Sequence, residues 1–379
     1  TVGVATNSRE MSNYYHFDSG KDGKLSAAFD ANFTKVRYFK WDDANMSKYF
    51  GPTQNYSLDV DYEMDQNNSL NLYLDYENTN QQFKKFTSAS GPFSYLGIYN
   101  VDRKSASLTY NGQNDNSNYM LSATYGELKK DVTSAMSANS VGSSKFNFWN
   151  IEARDTIKLD NNNRLTFGGE FRTDGRKDSS IDESSDQYSL FIHDELKLGE
   201  KLLLIPAVRY DHHDSFGSET SPNIGATYSF TEGSRLKANY GEGYRAPSIS
   251  ELYGTYSNPN LRPEKSKGYE LSYEQEFGDD TAIKLTYFKN KKTDAIAMDY
   301  SLAPNYQYMN IEKSSSEGVE FEIKHDLGNG FTVIGNYDYL DAMNDKTNTR
   351  LNYSARNTYT AKLMWTEPVK QEWNITAWN

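Results

Sequence analysis

The sequence predicts an all-β fold, a transmembrane antiparallel β-barrel, and three observations carry that expectation. Segments with one apolar and one polar face recur along the whole chain. The connections between them alternate short, long, short. Aromatic residues are abundant in a chain whose mean hydropathy is only −0.83.

The two-faced segments come first. In 70–76, Leu70, Leu72, Leu74 and Tyr76 share one face, and Asn71, Tyr73 and Asp75 the other. In 282–287, Ile283, Leu285 and Tyr287 oppose Lys284 and Thr286. In 319–324, Val319, Phe321 and Ile323 oppose Glu320, Glu322 and Lys324. Successive side chains of a strand alternate faces, so each segment has an apolar and a polar wall. In water the apolar wall needs a second sheet or helices to cover it. No segment reads as an amphipathic helix long enough for that, which leaves lipid as the cover. The most apolar strand, 202–208, contains Pro206, which removes a ladder donor and predicts a bulge or local irregularity.

The connections come next. Short turns are expected at 19–24, 64–69, 111–117, 160–164, 198–201, 230–234, 277–281, 326–330 and 369–371. Long ones are expected at 43–54, 80–100, 128–145, 173–186, 212–221, 243–267, 297–308 and 341–354. Tight periplasmic turns and large outer loops give an outer-membrane barrel this asymmetry. A soluble sandwich has no reason to sort loops by length onto alternate ends. The count is about eighteen strands, starting near residue 10. Single-chain barrels begin and end in the periplasm with an even count. The last strand, about 372–379, instead heads outward and stops at Trp378 and Asn379. Residues 1–379 are therefore expected to be one partial barrel lacking strands at both ends.

Composition agrees. The 379 residues carry a net charge of −12 and no cysteine, with 36% hydrophobic residues. Thirty Tyr, 19 Phe and 5 Trp argue against disorder, because disordered chains are poor in aromatics. Half-apolar strands, a polar lumen and aromatic girdles fit the same numbers. No apolar run reaches 18 residues, so no transmembrane helix is expected. No signal peptide begins at Thr1, as expected of a mature or internal segment. The missing cysteines exclude a disulfide scaffold and a thiolate metal site. The acidic balance argues against nucleic acid as a partner.

Residues 241–266 hold the most distinctive string. Gly241 and Gly243 interrupt a strand, which suggests a bend or a close backbone approach. Pro247, Pro259 and Pro263 fix an extended, non-helical path through a long loop. Glu264 and Lys265 restart a strand that continues through Tyr269, Leu271 and Tyr273. Tyr244, Arg245, Ala246 and Pro247 form one box, and Asn258, Pro259, Asn260, Leu261, Pro263 and Glu264 form a second. These two boxes resemble the barrel signature of TonB-dependent outer-membrane receptors. Further similar pieces are Arg209-Tyr210-Asp211 with Phe216-Gly217, Gly318-Val319-Glu320, and Asn336-Tyr337-Asp338-Tyr339. The resemblance covers most of 150–379, and the first 150 residues are similar only in barrel style. Within the family the chain looks most like the vitamin B12 (cobalamin) receptor branch, through Glu251-Leu252-Tyr253-Gly254 and 337–342. Haem receptors of this type often carry a His between the boxes, and 248–257 contains none.

The resemblance implies a barrel of about 22 strands filled by an N-terminal plug, of which about eighteen strands and no plug are expected here. It implies uptake of a scarce metal chelate, cobalamin first and siderophore-iron or haem otherwise. Energy would come from the TonB-ExbB-ExbD system through the plug. Further partners would be outer-membrane lipid and lipopolysaccharide, with phage or bacteriocin as opportunists. No cofactor is expected. Calcium in outer loops, a habit of the B12 branch, has only Asp42-Asp43 to support it.

Single residues follow. Trp41, Tyr253, Tyr256, Tyr300 and Tyr306 lie in or beside long outer loops and are the ligand-contact candidates, by ring stacking. Phe50 and Tyr308 share that reading, with the aromatic girdle as the alternative. His212 and His213 beside Asp211 and Asp214 could hold a metal, but a polar loop base is favoured. His16, His193 and His325 are isolated. Arg245 and Glu264 read as an ion pair or loop anchor. Glu270, Glu274, Glu320 and Glu322 are expected to line a polar lumen. No nucleophile, metal cluster or phosphate loop accompanies them, so no enzyme is expected. The rival readings are a passive porin or sugar channel, a surface adhesin barrel, and a soluble β-sandwich.

Overall fold

The structure is a computed structural model and describes residues 2–6, 10–42, 46–87, 93–134, 142–302, 305–351, 354–366 and 372–378. Side chains are described at all of these except 2–6, 10, 36–42, 46–51, 81–87, 93–97, 133–134, 312 and 372–378. Among the described residues, twenty strands are hydrogen-bonded into a single sheet. They are β1 (Val2–Thr6), β2 (Glu10–Asp22), β3 (Leu25–Asp42), β4 (Met46–Glu63), β5 (Asn68–Thr87), β6 (Phe93–Gln113), β7 (Ser117–Ser134), β8 (Gly142–Lys158), β9 (Asn163–Lys177) and β10 (Asp182–Leu198). The second half continues as β11 (Leu202–His213), β12 (Gly217–Thr231), β13 (Ser234–Arg245), β14 (Glu264–Phe277), β15 (Thr281–Asp299), β16 (Gln307–Gly328), β17 (Phe331–Asn344), β18 (Thr349–Arg350), β19 (Asn357–Thr366) and β20 (Glu372–Trp378). By contacts the chain divides into two compact units. One is 1–157 with 168–189 and 213–215, and the other is 158–167 with 190–212 and 216–379.

In the first unit, β2 to β8 pair antiparallel in chain order. Register carries one apolar row across five strands: Val60 opposite Leu72, Leu72 opposite Leu108, Leu108 opposite Ala123, and Ala123 opposite Ile151. Leu72, Leu108 and Ile151 on this row are exposed. Toward the long-loop end the row is bordered by rings: Phe33 meets Tyr56 at 5.6 Å, Tyr56 meets Tyr76 at 6.3 Å, and Tyr125 meets Trp149 at 4.7 Å. Toward the short-turn end Tyr110 meets Tyr119 at 6.0 Å.

The second unit repeats the pattern. Ala238, Leu271, Tyr287, Val319 and Tyr339 follow one another across β13 to β17. Tyr240 and Tyr269 stand 5.0 Å apart toward the loop end, and Phe331 and Trp365 6.0 Å apart toward the turn end. The opposite face is polar. Arg235 reaches Glu274 at 3.1 Å and Glu276 at 3.0 Å, Lys237 reaches Glu274 at 2.6 Å, and Ser272 bonds Thr286 at 2.9 Å.

Apolar burial is inverted relative to a protein folded in water. Among the described residues the buried hydrophobic ones are Ala31, Ile181, Leu252, Leu261 and Ala342, whereas strand residues such as Leu72, Leu108, Leu121, Tyr269, Leu271 and Leu285 are exposed. Covering a Leu- or Phe-sized side chain yields about 1.5–3 kcal/mol. Repeated over both units, that gain makes an apolar solvent against this face a requirement, and two aromatic belts mark its borders.

The structure departs from the sequence reading in three places. Strands β1 and β18 are additional to the expected eighteen. The expected long loops at 43–54, 80–100, 128–145, 173–186 and 212–221 are largely strand, because β4 starts at Met46, β5 runs to Thr87, β6 starts at Phe93, β7 runs to Ser134, β9 to Lys177 and β11 to His213, and β10 and β12 start at Asp182 and Gly217. A tilted crossing needs about 9–11 residues, and β5, β6 and β16 have 20, 21 and 22. Beyond the lipid nothing requires one face of a strand to be apolar and the other polar. The apolar alternation disappears there while the backbone ladder continues. Strand β11 includes Pro206, which is exposed. Residues 249–253, expected to be extended, form a helical turn, α1 (Ile249–Tyr253). The turn expected at 369–371, and Asn379, lie outside the described residues.

Candidate functional site

The long connection from β13 to β14 holds both boxes, and Arg245 is its hub. Arg245 ends β13 opposite Glu264, the first residue of β14. Its Nε donates to Glu264 Oε1 at 2.8 Å. Its two terminal nitrogens donate to Glu251 at 3.0 and 3.3 Å, a forked contact. Glu264 Oε2 also accepts from the Ile296 amide of β15 at 3.0 Å.

Glu251 lies in α1, which starts with a capping box. The Ser248 amide and hydroxyl donate to Glu251 Oε2 at 2.7 and 2.9 Å, and the Glu251 amide returns a bond to Ser248 Oγ at 3.3 Å. Pro247, just before the cap, is buried, and Ala246 is half-buried. Burial acts to raise the Glu251 carboxyl. Hydrogen bonds from Arg245 and from the Ser248 amide and hydroxyl outweigh it and hold the group below its ordinary range. The Ser-x-x-Glu spacing at 248–251 was the missed signal for the turn.

The second box docks onto the β15 to β16 hairpin. Asn258 Nδ2 donates to the Tyr308 carbonyl at 2.9 Å, and Asn258 Oδ1 accepts from the Asn260 amide at 3.0 Å. The Tyr308 amide donates to the Tyr256 carbonyl at 2.8 Å. Asn310 accepts from the Arg262 amide at 2.9 Å and donates to the Arg262 carbonyl at 2.9 Å. Arg262 also bonds Asp294 at 2.5 Å. Leu252 and Leu261 are buried within the loop. Pro259 is exposed and Pro263 half-buried, so their contribution is a fixed backbone. Asp294, Asn310 and the Ile296 amide were not foreseen, because hairpin docking leaves no mark in a linear pattern.

Of the ligand-contact candidates, three come together. Tyr306 makes edge contacts with Tyr256 at 5.7 Å and Tyr300 at 5.8 Å. Tyr256 adopts φ 65°, an uncommon conformation for an aromatic residue, while its carbonyl is held by Tyr308. Tyr300 is 74% exposed and Tyr256 47%. Tyr253 is exposed but outside this ring cluster. The Trp41 and Phe50 side chains lie outside the described residues, as do the Asp42 side chain and Asp43. Tyr244 lies at the strand end beside Arg245, and its hydroxyl is buried without a hydrogen-bond partner.

The histidines are locally engaged. Buried His213 meets Ser185 Oγ through Nε2 at 2.9 Å, and its Nδ1 accepts from the Ser215 amide at 3.1 Å. His212 meets Ser218 at 2.9 Å, His16 meets Asp30 at 2.7 Å and His325 meets Thr281 at 2.8 Å. No group of three or more His, Asp or Glu suited to a metal exists among the described residues.

On the polar face of β13 to β16 lies a cavity of ≈ 310 Å³ lined by Asn239, Glu270, Thr286, Phe288, Asn290 and Glu320, among others. Glu270 and Glu320 have no hydrogen-bond or ion-pair partner among the described residues. Gly318 borders Phe288, and a Cβ on it would sit 2.2 Å from the Tyr339 carbonyl oxygen.

Residues 2–379 match the family described as TonB dependent receptor-like, beta-barrel. Among solved structures, a double mutant of the ferric enterobactin receptor of Pseudomonas aeruginosa is similar at 19% identity and TM-score 0.83. That match covers 97% of this chain and 64% of the other. The siderophore receptor PirA of Pseudomonas aeruginosa is similar at 18% identity and TM-score 0.79, over 97% of this chain and 67% of the other. The FrpB iron transporter of Neisseria meningitidis is similar at 14% identity and TM-score 0.75, over 96% and 66%. The chain belongs to the TonB-dependent receptor β-barrel family, whose members are outer-membrane transporters and not enzymes.

Proposed function

We propose that this barrel belongs to a receptor that captures an iron–siderophore complex at the cell surface and passes it inward. The observation that carries the reading is the tyrosine cluster that joins Tyr256 of the box loop to Tyr300 and Tyr306 of the β15 to β16 connection, onto which that loop is bonded. Exposed rings on a fixed support suit a flat, aromatic-bearing chelate, because little ordering is needed when it binds. The names of the similar structures, two siderophore receptors and an iron transporter, move the preference from cobalamin to siderophore-iron.

Such ligands are dilute and too large for passive pores, so capture must be tight and release driven. The outer membrane has no ATP. Energy would arrive from the inner membrane through TonB acting on a plug inside the barrel. The unpartnered Glu270 and Glu320 beside the polar-face cavity suit cationic groups of that plug.

Growth of a deletion strain on limiting iron supplied as different chelates, and separately on limiting cobalamin, tests the proposal. Failure on an iron–siderophore alone supports it. Failure on cobalamin alone restores the B12 branch. Normal growth on every arm removes chelate import and favours the channel or adhesin reading.

A further inference from the structure

The surface around the tyrosine cluster has a charge pattern of its own. Residues 246–261 of the box loop and 295–311 of the β15 to β16 connection build it, and neither stretch contains a Lys, Arg or His. Their only charged residues are Glu251 and Asp299. The cations that border the two stretches are matched by carboxylates of the chain. Arg245 meets Glu251 at 3.0 Å and Glu264 at 2.8 Å, and Arg262 meets Asp294 at 2.5 Å.

Asp299 has no such match. It ends β15 immediately before Tyr300, and register sets it opposite Gln307, the neighbour of Tyr306. The Ser301 hydroxyl and amide donate to its Oδ1 at 2.6 and 2.9 Å. These bonds hold its carboxyl below the ordinary range, so it is ionised at neutral pH. Both donors are neutral, and among the described residues no Lys, Arg or His forms an ion pair with it. Consecutive Cα atoms are about 3.8 Å apart, which puts this charge on the order of one Debye length from the exposed Tyr300 ring. The ring surface therefore lies under a negative potential.

A ferric complex set on that surface is attracted or repelled according to its own charge. Catechol groups bind iron as dianions, so a tris-catecholate complex is triply negative. Hydroxypyridinone and hydroxamate groups bind as monoanions, so three of them leave the complex neutral, and a free ammonium on the ligand makes it a cation. We propose that this site selects chelates whose ferric complex is neutral or cationic and rejects the triply negative tris-catecholates. The inference rests on the chelate-capture reading and names the class of chelate. The rings supply an attraction common to aromatic-bearing ligands, and the uncompensated carboxylate supplies the repulsion that discriminates among them.

The test uses the full receptor purified in detergent and three ferric complexes built on one tripod. They are a tris-catecholate, a tris-hydroxypyridinonate, and the latter with an ammonium on its scaffold, so overall shape is shared and charge differs. Dissociation constants come from calorimetric titration. An exposed charge contact changes affinity by about two- to fivefold per unit charge. The neutral complex should therefore bind wild type about tenfold or more tightly than the tris-catecholate at low salt, and high salt should shrink the gap. Asp299→Asn, which keeps an acceptor for Ser301, should also shrink it, and Asp299→Lys should reverse it. A tris-catecholate that binds wild type as tightly as the neutral complex overturns this inference and leaves chelate import standing. A gap that Asp299→Asn leaves unchanged does the same. Failure of all three complexes to bind removes the tyrosine cluster as a chelate surface and this inference with it, whereas the deletion strain judges import by itself. Heat-modifiable gel mobility reports folding, and the wild-type series decides even if neither variant folds.

Discussion

Replacing Arg245 by Ala should release the box loop without unfolding the sheet. Arg245 makes three hydrogen bonds, one to Glu264 and two to Glu251. The side chains of Glu251 and Glu264 are 14% and 18% exposed, so both carboxylates would be left shielded and facing each other. A hydrogen bond to a charged group is worth about 1.5–3 kcal/mol net. The Arg245 side chain is 43% exposed, and solvent screening reduces that value. Glu251 keeps the Ser248 donors and Glu264 keeps the Ile296 amide. A local loss of about 2–3 kcal/mol is expected. Hydrogen exchange at the amides of Leu252, Gly254 and Asn258, bonded to Ser248, Ser250 and Glu251 carbonyls, reads it directly. Their exchange should accelerate about 30- to 150-fold while β14 stays protected. Arg245→Lys, which keeps the charge but not the fork, should fall between. Unchanged protection in Arg245→Ala would refute the hub assignment.

The other expectations concern pH, lipid and packing. The Glu251 carboxyl is held below its ordinary value of 4.5, so its contribution is full above that pH and is lost as pH falls through the lowered value. A spin label at Thr255→Cys, unique because the chain has no cysteine, should stay immobile at neutral pH and loosen below about pH 4.5. A label that loosens already above pH 4.5 would contradict this. Leu271→Arg puts a charge on the lipid face and should cost about 2–4 kcal/mol in vesicle refolding, whereas Glu270→Gln on the opposite face should cost little. Equal costs would mean the faces are misassigned. Gly318→Val should sharply lower the yield of folded protein, since its Cβ would overlap the Tyr339 carbonyl. Tyr300→Ala should weaken ferric-chelate binding several-fold without altering heat-modifiable gel mobility, and unchanged affinity would remove Tyr300 from the ligand site.

Much of the fold was legible because lipid imposes a simple rule. A strand that must show one face to hydrocarbon writes its position as strict alternation, as Leu70, Leu72 and Leu74 do. The same rule explains what was missed. Where β5 and β6 leave the lipid, the strict alternation of apolar and polar residues ends, and strand reads as loop. The turn α1 carried a readable capping box in Ser248 and Glu251, yet the three prolines around it pointed to extended chain. At the site, the boxes were visible as strings, but their work was not. Asn258 acts through the Tyr308 carbonyl and Arg262 through Asn310, partners about fifty positions away. Only the pairing of β15 with β16 brings them within reach. Tyr256, Tyr300 and Tyr306 were legible individually, and the edge contact of Tyr256 with Tyr306 follows from that same docking.

The central claim is active import of an iron–siderophore by an outer-membrane receptor. Uptake of a radiolabelled iron–siderophore, the one that fails to support the deletion strain, by cells carrying the full receptor, before and after collapse of the proton gradient, tests it most directly. Uptake should saturate with ligand and stop when the gradient collapses, while surface binding persists. Uptake that continues without the gradient and rises linearly with concentration would contradict the account and identify a passive channel.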